Sequence, residues 1–140
     1  AWDPADVDPD GCFRVHRQGK DVTFVTYGRM VNQVLRAAEK LETAGVSAEV
    51  IRLLTLDVFP IERLLTHISG PVIVVEEACT GSGIREAFAW ELRAALPDQR
   101  VYGMDLGPDF VTHGAQDKLY KHCGLDEEAI VKLTGEVLKG

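Results

Sequence analysis

The sequence predicts one α/β domain in three layers, a mostly parallel sheet of about five strands with one antiparallel edge strand and helices on both faces. Three observations predict it. Short β-branched runs alternate along the chain with stretches of helical period. The run from Val72 to Val75 is apolar at every position, as in a strand covered on both faces. Breakers stand between the runs, at Gly28, Gly45, Gly70-Pro71, Pro97 and Gly107-Pro108. A length of 140 residues suits one domain with one proper core.

Taken in order, residues 1–11, AWDPADVDPDG, read as a linker or arm leading from an upstream domain, and 12–140 as the domain itself. The chain opens Ala1-Trp2-Asp3 without an initiator Met, which suggests a cut domain. CFRVHRQGKDVTFVTYG reads as two short strands around a Gln18-Gly19-Lys20-Asp21 turn. That hairpin would supply the antiparallel edge strand. Val31, Val34, Leu35, Ala38 and Leu41 then fall on one helical face, with Gly45 where a C′ glycine belongs.

Ala48 to Leu53 reads as a buried strand, with Val50, Ile51, Leu53 and Leu54 as its apolar side chains. Pro60 opens a short helix carrying Ile61, Leu64, Leu65 and Ile68. After the strand at Val72, a further helix carries Ile84, Ala87, Phe88, Leu92 and Ala95 on one stripe. Val101 to Leu106 is a strand, and a helix is expected near Ala115–His122. The last helix has the clearest start. Asp126 can cap it, Glu127 and Glu128 favour its dipole, and Leu125 can staple onto Ile130.

Composition excludes several classes. Hydrophobic residues make up 46% and charged residues 26%, as in ordinary globular proteins rather than disordered or fibrous ones. A net charge of −7 lacks the basic footprint of a nucleic-acid binder. No apolar run approaches the roughly 20 residues of a membrane span, and no signal peptide is legible. Cys12, Cys79 and Cys123 are odd in number and form no CxxC, so free thiols in a reducing cytoplasm are expected.

The stretch VIVVEEACTGSGIREAF carries the candidate chemistry. A strand, the Gly81-Ser82-Gly83 turn and a helix start are the physical recipe for a phosphate seat. The dinucleotide fingerprint fails, however, because Glu86 stands at its third glycine. The P-loop lysine is missing, and Glu76 and Glu77 would repel an anion. Cys79 has no base nearby in sequence and reads as a buried thiol. Glu76, Glu77 and His113 fall at the carboxyl edge of the sheet, where ligands or partners bind in such folds. Strand alternation sends Glu76 and Glu77 in opposite directions, so both cannot serve one site. The alternative for them is a helix cap or an ion pair with Arg85. No His spacing suits a metal. Residues alone therefore give no catalytic constellation and a set of edge contacts: Glu76, Glu77, Gly81, Ser82, Gly83 and His113.

GKDVTFVTYGRMVNQVLRAAEKLETAGVSAEVIRLLTLDVFP resembles the opening of the transketolase C-terminal domain family. VIVVEEACTGSGI is similar to that family's strand ending in Glu-Glu before a Gly-rich loop. Thr55 stands where the family has a proline, and Ser82 where it often has a second glycine. The likeness covers about residues 12–138. Within the family, Asp109-x-x-x-His113-Gly114 and Gly124-Leu125-Asp126 are most like the closing pattern of 1-deoxy-D-xylulose-5-phosphate synthase, while VTYGRMV is more like the β subunit of 2-oxoacid dehydrogenases. The resemblance implies thiamine diphosphate and Mg2+ in the full-length enzyme, held by other domains. It implies carboligation of pyruvate with glyceraldehyde 3-phosphate, a step toward isoprenoids, by the whole enzyme. It implies an inactive third domain that binds no cofactor, meets the other domains of the same chain and supports a homodimer. The alternatives are a transketolase or dehydrogenase β-subunit domain that docks a partner, or a standalone domain that binds an anionic effector at Gly81–Gly83.

Overall fold

The structure, a computed structural model, describes residues 8, 10–78, 82–105 and 125–139. Five strands form one sheet in the order β1-β3-β2-β4-β5. They are β1 (Phe13–Arg17), β2 (Val22–Tyr27), β3 (Ala48–Leu53), β4 (Val72–Val75) and β5 (Val101–Met104). β2, β3, β4 and β5 run parallel, and β1 is antiparallel on the edge of β3. The predicted fold class is the observed one.

The predicted hairpin is not. β1 and β2 lie on opposite sides of β3, with Phe13 opposite Leu53 and Val22 opposite Ala48. The reason lies in the link between them. Gly19 N donates to Glu49 Oε1 at 2.6 Å, and Asp21 N to Ser47 O at 2.8 Å. Ser47 N returns a bond to Asp21 Oδ2 at 2.7 Å. The link thus crosses the amino end of β3 instead of turning back beside β2. A Cβ on Gly19 would stand 2.2 Å from the Ala48 carbonyl carbon, so only glycine lets the chain cross this closely.

Helices cover both faces, because each strand buries alternate residues on opposite sides. On one face, α1 (Val31–Thr43) and α4 (Glu127–Lys139) cover Val22, Phe24, Val50, Ile73 and Val75. On the other, α2 (Ile61–Leu64) and α3 (Arg85–Ala95) cover Val25, Ile51, Leu53, Val72 and Val74. Phe24 and Phe88 are fully buried, one in each layer, and each contributes about 1.5–3 kcal/mol by leaving water. The α3 stripe differs from expectation. Phe88, Ala89 and Leu92 are buried, while Ala87 and Ala95 are exposed. Phe88 and Leu92 share one core layer with Val25, Ile51, Val72 and Val74, and Phe88 meets the Phe59 ring edge-on. Leu54 is also exposed, at 45%, because β3 ends one residue before it.

The start of the chain is tied down at Asp8. Burial pushes its carboxyl upward, but the Arg63 guanidinium and the Cys12 amide outweigh that and hold it below the usual carboxylate range. Arg63 also pairs with Asp10 at 3.1 Å. The expected helix near Ala115–His122, and the rest of the arm at 1–7 and 9, lie outside the described residues.

The last helix begins as read. Ala129 N donates to Asp126 Oδ1 at 3.0 Å, and Leu125 and Ile130 are both fully buried in the α1–α4 layer. Asp126→Ala should therefore lower unfolding stability by about 1 kcal/mol, the usual worth of such a cap. Urea denaturation measures this; an unchanged midpoint would show that the cap is not used.

Candidate functional site

The carboxyl ends of the parallel strands bring together Tyr27, Arg29, Glu76, Glu77, Arg85 and Asp105. Glu76 follows β4 directly, and its amide donates to Met104 O at 2.9 Å, which extends the ladder to β5 by one bond. Its side chain then turns inward and is 3% exposed. One carboxylate oxygen, Oε2, accepts from the Tyr27 hydroxyl at 3.1 Å and from Ile84 N at 2.8 Å. Ile84 is the N-cap residue of α3. The amide that would greet a phosphate at this helix start is thus bound by the chain's own anion.

Gly83 belongs to the same arrangement. A Cβ there would lie 2.1 Å from Glu76 Oε2. The glycine is needed for the close approach of an internal carboxylate, where sequence reading weighed a phosphate. Magnitudes decide how to regard the tie. Taking a carboxylate out of water costs several kcal/mol, and charge-assisted bonds return about 1.5–3 each. Two such bonds roughly offset the cost. The tie's main effect is to fix where β2, β4 and α3 meet.

Glu77 is held differently. Arg29 Nε donates to Glu77 Oε2 at 2.9 Å and its Nη2 to Oε1 at 2.5 Å, a two-pronged pair at the surface. The strand ends at Val75, so pleat alternation no longer separates the two glutamates. Each grips a different residue of one corner, Tyr27 and Arg29, where β2 passes into α1. Arg85, a candidate partner for the glutamates, instead reaches Asp105 at 3.7 Å and Glu86 at 3.2 Å. Ser82 is exposed beside Gly83. Gly81, Cys79 and His113 lie outside the described residues.

Tyr27, Arg29 and Asp105 were not singled out by sequence reading. The available signal was weak. Tyr27 is the one polar-tipped side chain closing an otherwise buried strand, and a buried tyrosine hydroxyl needs a partner. Burial raises the Tyr27 pKa well above its ordinary value, and the charge and hydrogen bond of Glu76 raise it further.

The pattern that defines the C-terminal domain of transketolase matches residues 11–130. The chain belongs to the transketolase C-terminal domain family. It is 42% identical over 93 residues to the pyruvate dehydrogenase E1 component subunit β of Bacillus subtilis, covering 65% of this chain and 27% of that protein. It is 39% identical over 103 residues to the same subunit of Staphylococcus epidermidis, covering 68% and 32%. The chain therefore spans less than a third of these relatives. Among solved structures, a split-gene transketolase described as an inactive β4 tetramer superposes with a TM-score of 0.83 at 26% identity, over 99% of this chain and 46% of that one. A Pichia stipitis transketolase superposes at 0.66 and 20% identity, over 91% and 18%, and shows the fold alone.

At the carboxyl edge the Ile84 amide is taken by Glu76, and Arg29 and Arg85 stand among the acids Glu76, Glu77 and Asp105. Among the described residues no cluster of three His, Cys, Asp or Glu could hold a metal. No described helix is long and apolar enough to cross a membrane.

The Tyr27–Glu76 pair gives a pH prediction. The folded tyrosine keeps its proton where the unfolded one loses it, above about pH 10. Stability should therefore fall as pH rises past that point. Glu76→Gln should move Tyr27 back toward its ordinary value, read from tyrosinate absorbance in the folded protein. An unmoved titration would show that Glu76 carries no charge against Tyr27.

Proposed function

We propose that this domain is an assembly domain of a thiamine-diphosphate-dependent enzyme of the pyruvate dehydrogenase E1 β type. Its partners are the other domains of the same enzyme and an accompanying subunit. The observation that carries the reading is the 36–42% identity to E1 β subunits over most of this chain, joined to its small share of their length. The closed carboxyl edge supports it. A domain that spends its helix-start amide on Glu76 is built to hold its own corner in shape. The cofactor, the metal and the chemistry then belong to other parts of the enzyme, and Glu77 and Ser82 stand on the edge that a neighbouring domain would meet.

A second reading keeps the domain in 1-deoxy-D-xylulose-5-phosphate synthase or a transketolase. The closing motif around Asp109, His113 and Gly124-Leu125-Asp126 favours it. Relatives of the E1 β type favour the first. The full-length protein that carries this domain separates them. Pyruvate oxidation that requires an added α-type subunit supports the dehydrogenase, and ligation of pyruvate to glyceraldehyde 3-phosphate without one supports the synthase.

For the 140-residue chain, calorimetry with thiamine diphosphate and Mg2+ should give no saturable heat, and the same holds for phosphorylated metabolites. Saturable binding of thiamine diphosphate would contradict the assembly reading. Saturable binding of a phosphorylated metabolite alone would instead favour an effector domain.

A further inference from the structure

The antiparallel edge pair of β1 and β3 has one side that is left partly open. Phe13 and Val15 of β1 are buried in the layer under α2 and α3, and no residue of β1 enters the layer under α1 and α4. Arg14 and His16, which alternate with them, stand on the α1 side and are partly exposed.

Strand pairing sets a row across that side. Arg14 lies directly opposite Arg52 of β3, and Arg52 lies beside Thr26 of β2. Residues paired in register share a face, so these three side chains are neighbours. Leu54, 45% exposed, stands just beyond Arg52 where β3 ends. The row sets two positive charges side by side in a chain whose net charge is −7.

The row also leaves polar groups unanswered. Thr26 is fully buried, and its hydroxyl has no hydrogen-bond partner among the described residues. Arg52 Nε is buried without a partner among them too, although Arg52 as a whole is partly exposed. Buried donors left unmet are costly, and like charges directly across a ladder repel. An anion lowers both costs at once. The donors decide its kind. Phosphate seats usually draw on several backbone N–H groups, and here the strand amides are engaged in the ladders on both sides of β3. What remains is the Arg52 fork, whose parallel N–H groups match the two oxygens of a carboxylate, and one hydroxyl. Leu54 adds apolar surface at the end of the row.

We propose that the row of Arg14, Arg52 and Thr26 is a binding site for a carboxylate that carries a short apolar group. Two sources share this chemistry: a free carboxylic acid, and an Asp or Glu side chain beside an apolar residue of another polypeptide. None of the three residues belongs to the Tyr27–Glu76 corner, and the proposal stands apart from the choice of enzyme.

Nuclear magnetic resonance of the 140-residue chain tests it, read at the Arg52 Nε–H and Thr26 amide signals at constant ionic strength. The probes are butyrate, the peptide acetyl-Glu-Leu-amide and inorganic phosphate. Butyrate and the peptide should shift both signals saturably, and phosphate should not. Arg52→Gln should raise the dissociation constant at least about tenfold, and Thr26→Val, which removes only the hydroxyl, about threefold. Thr26→Val replaces an unanswered buried hydroxyl by a methyl group, so it should keep the fold, as circular dichroism establishes. Tighter binding of the peptide than of butyrate upholds the site and names a neighbouring polypeptide as its source. Equal binding upholds it and names a free acid. Absence of saturable shifts in the wild type, phosphate binding as tight as butyrate, or binding unchanged by Arg52→Gln would overturn the proposal. The cofactor takes no part in these titrations, so a failure here leaves the family reading intact.

Discussion

One buried carboxylate organises the end of the molecule that matters most. Glu76 leaves β4 and turns inward. There it receives the Tyr27 hydroxyl from the end of β2 and the Ile84 amide from the start of α3. These are the adjacent central strands and the helix that covers them on one side. A buried charge cannot be left without partners, because an unpaired carboxylate in the interior costs several kcal/mol. The three elements must therefore arrive together, and Gly83 must be small enough to let them. The Arg29–Glu77 pair braces the same corner from outside.

This constraint gives the loop's resemblance to a ligand site an internal use. A strand end, a glycine turn and a helix start do concentrate amide donors. Here an internal anion answers the Ile84 amide, so the helix dipole stabilises Glu76. The amino edge uses the same device. Glu49 is buried, accepts from Gly19 N, and lies 3.0 Å from His67 Nδ1. At each end of the sheet, among the described residues, a carboxylate from the chain itself ties neighbouring elements together.

Much of this was legible in the residues. The continuous apolar run at Val72, the 3.6 period of α1 and the capped start of α4 each reflect local rules, and the structure follows them. The pairing of β1 was not legible. A turn of Gln-Gly-Lys-Asp between two apolar runs looks like a hairpin, and only contacts to Ser47, Ala48 and Glu49, some 25 to 30 positions away, send β1 across β3. The role of Glu76 was half legible. A helix cap was among its possible uses, but the Tyr27 partner comes from 49 positions earlier. No local pattern announces such a pair. The α3 stripe is narrower than its period suggests, with Ala87 and Ala95 exposed beside buried Phe88 and Leu92.

The central claim is that Glu76 couples the ends of β2, β4 and α3. Amide hydrogen exchange in a Glu76→Ala variant tests it most directly. The account predicts that protection falls together at Ile84 and the first turn of α3, at the β2–α1 corner around Tyr27, and at the end of β4, while β3 and α4 keep theirs. A loss confined to Ile84, or no loss at all, would contradict it.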